Sequence, residues 1–412
     1  MRLISKLHLV VALAMLAGSP ETTAQTRQFD RLMESLLGKY DIAGGSLSVS
    51  FSGRLIYSKG FGLADKQKRT PVSPKSLFRI SSVSKPFTAA AIMKLVEQRK
   101  LRLDTPVYSI IGRLPIPPGH RINPRIKQIT VQDLLRHSSG QEIYNAQGRI
   151  TSPMQPPVSR KVSRLFAAKH PPSFEQVAGF MQTQPLMHPP GTQFKYSNYG
   201  YALLGLIIER ISGKSYEKFV QDELLKPIGI VSMQLGGTLE SNARPDEVTY
   251  YDLPGRALVR SVLEEHPPGP FPYAGRHIQG WGGAGAWIAS SRDVVRFMNH
   301  IDGMRQPGVL DKRSMARMVE QQYFPKNRKG FWYGLGLRVQ QKSDGVHAWH
   351  NGASNSGAAA LMMRTNTGIV WAAMFNQRLP AGRSLYKEFT REMFRIVRQT
   401  KQWPRGDLFA VR

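Results

Sequence analysis

Strand-like and helical periodicities are segregated along this chain, and that segregation restricts its fold more than any other feature. Near the start, Ser46-Leu-Ser-Val-Ser-Phe51 alternates polar and apolar residues, Ser52-Gly53 supplies a turn, and Arg54-Leu-Ile-Tyr57 resumes, the pattern of a β-hairpin. Near the end, residues 334–339, 357–363 and 369–375 read as strands, the last two joined by the turn Asn366-Thr-Gly368, and 385–397 reads as a helix. Helical spacing dominates between these ends: a largely buried helix from near Ser82 through 84–98, another over 131–136, and a long one over 199–211 stopped by Gly213. A further helix over 216–225 has Ser215 as its N-cap. Strands, then helices, then strands and a helix predict an α+β fold, with an antiparallel sheet contributed by both chain ends, flanked by helices, and a mostly helical middle.

The N-terminus carries a separate signal. Arg2 and Lys6 precede the run from Leu7 to Ala17, apolar except for His8, and small residues follow, which predicts a secretory signal over residues 1–24. The remainder, 25–412, is expected to be a single domain, with its sheet part at about 25–110 and 285–400 and its helical and loop part at about 111–284. No later window has the 18 or so uninterrupted apolar residues that a membrane-spanning helix needs, so no transmembrane segment is expected in the mature chain. A periodic and Pro-rich stretch, 143–174, has no acidic residue and five bases, and reads as an exposed loop insertion.

Charge and cysteine content narrow the chemistry. With 57 basic and 28 acidic residues the chain carries +29, a field that concentrates polyanions. Export makes the expected polyanion a cell-envelope polymer and not nucleic acid, and places the protein in the periplasm or outside the cell. The absence of cysteine excludes disulfides, thiolate metal sites and a cysteine nucleophile. Chemistry must come from hydroxyls, amines, imidazoles or carboxylates.

Ser82-Val-Ser-Lys85 puts a hydroxyl and an amine on one face of a predicted helix start. A lysine desolvated by apolar neighbours loses its proton more readily and can then deprotonate the serine. The free N–H groups of a first helical turn suit an oxyanion. The spacing alone is weak, because it recurs at Ser215/Lys218 and Ser384/Lys387 on charged amphipathic helices. Two further motifs follow in order: Tyr196-Ser-Asn198, just before a helix, and His350-Asn-Gly352, at the start of a strand pair. Asn198 could equally be only a helix cap. His347 and His350 have metal-like spacing, but on a strand they point to opposite faces, so no metal site is expected.

These three motifs together resemble the serine β-lactamase and penicillin-binding-protein superfamily, in particular the branch holding class C β-lactamases, D-alanyl-D-alanine carboxypeptidases, D-aminopeptidases and related esterases. The resemblance extends over about residues 28–397 and includes Phe78 to Phe87, Leu134 to Gly140, Pro190-Gly191 with Tyr196 to Gly205, Gly283 to Phe297, and His350 to Gly357. It implies a β-lactamase/transpeptidase-like fold, no cofactor, and a small-molecule or peptide substrate. It also implies roles: Ser82 is acylated, Lys85 and Tyr196 share the proton transfers, and Asn198 hydrogen-bonds the acyl side chain. His350, with Gly352, assists Tyr196 and orients the carboxylate end of the substrate, and the backbone N–H groups of Ser82 and Ala353 form the oxyanion hole.

Departures from the family pattern bear on substrate. Class C β-lactamases usually carry lysine where this chain has His350, and a histidine titrates near neutrality. Recognition of carboxylate-bearing substrates through His350 is therefore expected to weaken as pH rises through roughly 6–8. The expected activity is that of an exported hydrolase acting on D-amino-acid peptides of the wall or on small esters. The alternatives are a weak class C-like β-lactamase or a silent wall-binding protein. Trp281-Gly-Gly283 reads as structural, and the segments 141–174 and 250–281 are expected to hold substrate choice.

Overall fold

The computed structural model describes residues 20–144, 150–321, 330–352, 356–379 and 384–410. The expected hairpin is present as β1 (Gly44–Phe51) and β2 (Arg54–Asp65), and its turn residues Ser52 and Gly53 both take positive φ, 49° and 80°. Such a turn matches the right-handed twist of the strands it joins. Short β3 (Thr70–Pro71) extends the hairpin edge. The other end of the chain supplies β4 (Trp332–Tyr333), β5 (Arg338–Lys342), β6 (Gly345–Gly352), β7 (Ala359–Arg364) and β8 (Ile369–Phe375). All pairings are antiparallel, in the spatial order β3-β2-β1-β8-β7-β6-β5-β4. The two chain ends meet at the β1–β8 pair, where Gly45 faces Phe375 and Phe51 faces Ile369.

Helices cover both faces of this sheet. On one side α1 (Pro20–Lys39) and the C-terminal helix Ser384–Gln399 pack Phe29, Met33, Phe389 and Met393 against Leu47, Val49, Trp371 and Ala373. The opposite side holds α2 (Lys85–Glu97) and the helix Ser291–Ile301 in the larger core. The alternation in β1 does not separate core from solvent. Ser46, Ser48 and Ser50 are fully buried under Ser291–Ile301, where Ser46 and Ser48 hydrogen-bond Ser291 and Ser50 donates to Asn299. Small hydroxyls that satisfy one another let helix and sheet approach closely.

The helical middle follows the expected boundaries closely. A helix spans Val131–Leu135, another spans Asn198–Ser212, and the latter ends at Gly213 in the left-handed region, φ 69°. Ser215 caps Tyr216–Val220 through the Lys218 N–H, and Gln221–Leu225 continues as a wider turn.

Three expectations differ from what is observed. The strand expected over 334–339 is split, because Gly334 to Leu337 form a connection: a Cβ on Gly334 would lie 2.1 Å from the Met318 carbonyl oxygen, so this backbone packs on a neighbour and not into the ladder. His350 stands near the end of β6, not at the start of a strand pair. The stretch 143–174 is folded and not an exposed loop: it contains the short pairing of Ile143–Tyr144 with Ile150–Thr151 and the helix Val158–Leu165, and buries Met154, Val162 and His170. Lys161 and Arg164 stand exposed on that helix, which is why composition alone resembled a loop. Residues 1–19 of the expected signal lie outside the described residues, and α1 begins at Pro20. Among the described residues no helix is long and apolar enough to cross a membrane.

Candidate active site

The nucleophile candidate sits on a constrained turn. Phe78–Arg79 pairs with Trp287–Ala289, and the chain then enters a 3-10 turn, Ser81–Ser84, before α2 begins at Lys85. Ser81 has φ 47°, a region that residues with a Cβ rarely occupy and that persists only where the surroundings enforce it. Its hydroxyl lies 3.1 Å from that of Ser356. From the other side, a Cβ on Gly352 would come within 2.3 Å of the Ile80 carbonyl oxygen, so only glycine lets the end of β6 close against the turn.

Lys85 is fully buried, and its Nζ lies 2.8 Å from Asn198 Oδ1, 2.7 Å from the Ala284 carbonyl oxygen and 3.1 Å from Ser82 Oγ. Burial, reinforced by the Arg338 guanidinium, pushes its pKa well below the usual lysine range. Stereochemistry agrees. The Asn198 and Ala284 oxygens can only accept, so once the amine is neutral they can take both its N–H bonds and leave its lone pair to face Ser82. Ser197 caps the helix that starts at Asn198 by accepting the Gly200 N–H, and so leaves the Asn198 side chain to Lys85. That observation removes the alternative of Asn198 as a mere cap.

Tyr196 stands over this amine, its ring centroid 5.1 Å from Lys85 Nζ. An aromatic cluster holds it: His137 lies 4.2 Å away between ring centroids, and Tyr333 and His350 follow at 6.1 Å and 6.4 Å. His137 Nδ1 accepts the Ser197 N–H at 3.0 Å, which fixes the loop carrying the tyrosine. His350 is held neutral by its own hydrogen bonds. Nδ1 donates to the Asn351 carbonyl at 3.0 Å, so Nε2 is the acceptor for the Tyr333 hydroxyl at 3.1 Å. Burial, then Arg338 and Lys85, drives its pKa well below the usual imidazole range. This runs against the expectation that the histidine titrates near neutrality: burial beside the Arg338 guanidinium disfavours a second ring proton.

Ser82, Tyr196 and Asn198 line one cavity of about 410 Å³. Gln141, Glu142 and Thr151 to Pro153 form one wall, and Arg276, Ile278 and Trp281 another. Both segments expected to shape the cleft therefore do so, and Trp281, read from the sequence as structural, is part of the wall. Ala353 lies outside the described residues. The histidine pair 347 and 350 diverges as strand geometry requires, His347 contacting Asp344 and Phe394, and no metal-binding cluster occurs among the described residues. Sequence reasoning missed the Ala284 carbonyl, Tyr333 and Arg338. Ala284 lay within the glycine-rich segment noted above, but a backbone oxygen leaves no sequence signature.

A helix-flanked antiparallel sheet from both chain ends, with Ser-x-x-Lys at the mouth of a buried helix and Tyr-x-Asn facing it, defines a β-lactamase-like protein. The β-lactamase family model matches residues 29–391, so the chain belongs to that family. The protein flp of Staphylococcus aureus strain N315 is 30% identical over 243 residues, 59% of this chain and 44% of that protein, so the chain spans less than half of the relative's length. Among solved structures, EstCE1, a hydrolase with promiscuous acyltransferase activity, superposes with a TM-score of 0.70 at 18% identity, covering 90% of this chain and 99% of the other. The D-amino acid amidase from Ochrobactrum anthropi SV3, complexed with L-phenylalanine amide, gives 0.68 at 22% identity over 91% and 98%. At these identities the two share the fold.

Proposed function

We propose that this chain is an exported serine hydrolase that forms an acyl-enzyme at Ser82 and cleaves an amide or ester, with D-amino-acid peptides of the cell wall as the natural substrate class. The observation that carries the reading is the Lys85 amine, buried, with no carboxylate partner among the described residues, bound to two carbonyl oxygens and 3.1 Å from Ser82 Oγ. In the first step Ser82 Oγ attacks the substrate carbonyl carbon while Lys85 takes the hydroxyl proton. Tyr196, beside the amine, passes a proton to the departing amine or alcohol, and water then releases the acyl group by the reverse relay. The backbone N–H groups of Ser82 and Ala353 are the proposed oxyanion donors, and His350 with Gly352 is proposed to position the β6 side of the site, the ring through Tyr333 and the glycine through its packing on Ile80. The hydrolase EstCE1 and the D-amino acid amidase among the solved structures of this fold are in keeping with a hydrolase. The charge of +29 supports residence near an anionic envelope polymer, an attraction that salt would screen.

Intact mass after incubation with a fluorophosphonate and a panel of p-nitrophenyl esters, D-alanyl anilides and β-lactams tests this. One covalent adduct on the wild type and none on Ser82→Ala is expected. Equal labelling of both, or no adduct with any probe, would leave a silent binding protein as the better reading.

A further inference from the structure

Among the groups lining the catalytic cavity, one formal charge has no counterion. Glu142 is nearly fully buried and its Oε2 faces His188 Nε2 at 3.3 Å. His188 Nδ1 donates to the Pro189 carbonyl at 3.0 Å, so Nε2 and the carboxylate would meet lone pair to lone pair unless one proton lies between them. The Glu142–His188 pair is therefore neutral as a unit, in keeping with the upward push that burial gives the Glu142 carboxyl. Lys85 is neutral for the reasons given above. Arg276 remains. Its guanidinium carbon lies 4.8 Å over the Trp281 ring, and its Nη2 donates at 2.9 Å to the Gln155 amide oxygen once that amide is turned to face it. Burial lowers its pKa only to about 10, so it stays charged at neutral pH. No carboxylate among the described residues lies within ion-pair reach of it.

Arg79 shows how this chain otherwise treats a buried guanidinium. It has Glu247 at 3.9 Å and carbonyl acceptors on Pro272, Gly237 and Ser356. Arg276, half-buried at the cavity wall, has one amide oxygen and no carboxylate, and a partly desolvated charge so placed gains from a ligand that supplies one. The geometry points to Arg276 as a specificity residue that receives a carboxylate on the acyl part of the substrate, in the cavity it shares with Ser82 and Asn198. The substrate class is thus an amide or ester whose acyl part bears a free carboxylate, such as an acidic D-amino acid. The planar fork of arginine suits a carboxylate, and the Trp281 face limits how the guanidinium can turn. This inference rests on the hydrolase reading and deepens it.

Two measurements test it separately from that reading. The first compares kcat/KM for p-nitrophenyl hemiglutarate with that for its methyl ester. Wild type should favour the free acid by roughly tenfold or more, and Arg276→Gln should bring the ratio close to one. Arg276→Lys, which keeps the charge without the fork, should fall between, and it serves if the glutamine variant does not fold. The second uses calorimetry of glutarate binding to Ser82→Ala, where no turnover occurs, with and without Arg276→Gln. Lost binding in the double variant supports the assignment even if no ester acylates Ser82, an outcome that would sink only the hydrolase reading. A ratio near one in wild type, a ratio that survives Arg276→Gln, or glutarate binding unchanged by it overturns the inference.

Discussion

Two of the three places where the chain carries the same four-residue pattern could hardly differ more. At Ser215/Lys218 the serine caps a short helix through the Lys218 N–H, while the lysine ammonium sits 2.9 Å from Asp222, with over half its side chain exposed. At Ser82/Lys85 the amine is sealed from water, meets two carbonyl oxygens and no carboxylate, and is repelled by Arg338. Spacing on a helix brings a hydroxyl and an amine together in both. Only the second environment strips the amine of water, because three separate segments converge on it. The pattern proposes, and the tertiary surroundings decide.

Three experiments would break or sharpen that contrast. The largest effect is expected at the buried pair. Lys85→Met and Tyr196→Phe should each lower kcat by roughly 10²–10⁴. The double variant should lose little more than the worse single one, since groups acting as a unit cannot be removed twice. Fully multiplicative losses would mean two independent functions. A second, intermediate effect concerns stability. The Lys85 pKa is depressed in the folded state, so between that value and the ordinary 10.5 the unfolded chain binds a proton that the folded chain does not. Stability should therefore rise with pH through this window, and Lys85→Met should remove that part of the slope while raising the melting temperature at pH 7. Identical melting curves against pH for the two proteins would contradict a neutral buried amine. The smallest effect belongs to the exposed copy: Ser215→Ala should cost about 1 kcal/mol as a lost helix cap, read by denaturant titration, and leave turnover unchanged. A rate change there would mean that the second pattern is not merely structural.

What could be read in advance follows the same division. The hairpin at β1 and β2 and the helix ending at Gly213 were legible because local periodicity and turn chemistry specify them within a dozen residues. Ser82, Lys85, Tyr196 and Asn198 were legible because three motifs in order constrain one another. The Ala284 carbonyl was not, since a backbone oxygen is chemically the same in every residue. Nor were Arg276 and the Glu142–His188 pair, whose meaning depends on which charges lack partners in space. The segment 143–174 misled through composition: the exposed Lys161 and Arg164 of Val158–Leu165 hid the buried Val162. His350 misled through its ordinary pKa, which burial and two occupied ring nitrogens override.

The meeting of β1 with β8 at the middle of the sheet has a consequence in time as well as in space. Gly45 faces Phe375, so one of the most central pairings joins segments from opposite ends of the polypeptide. Closing so long a loop is entropically costly and is repaid only after the pairing forms, which makes such topologies slow to reach the native state. A growing chain can form the hairpin and the helix Asn198–Ser212 early, yet the sheet stays in two halves until β8 has emerged. Because Ser82 lies in the first half and Gly352 in the second, an incomplete copy of this chain holds its serine and lysine without the close packing of β6 against their turn until synthesis is almost finished.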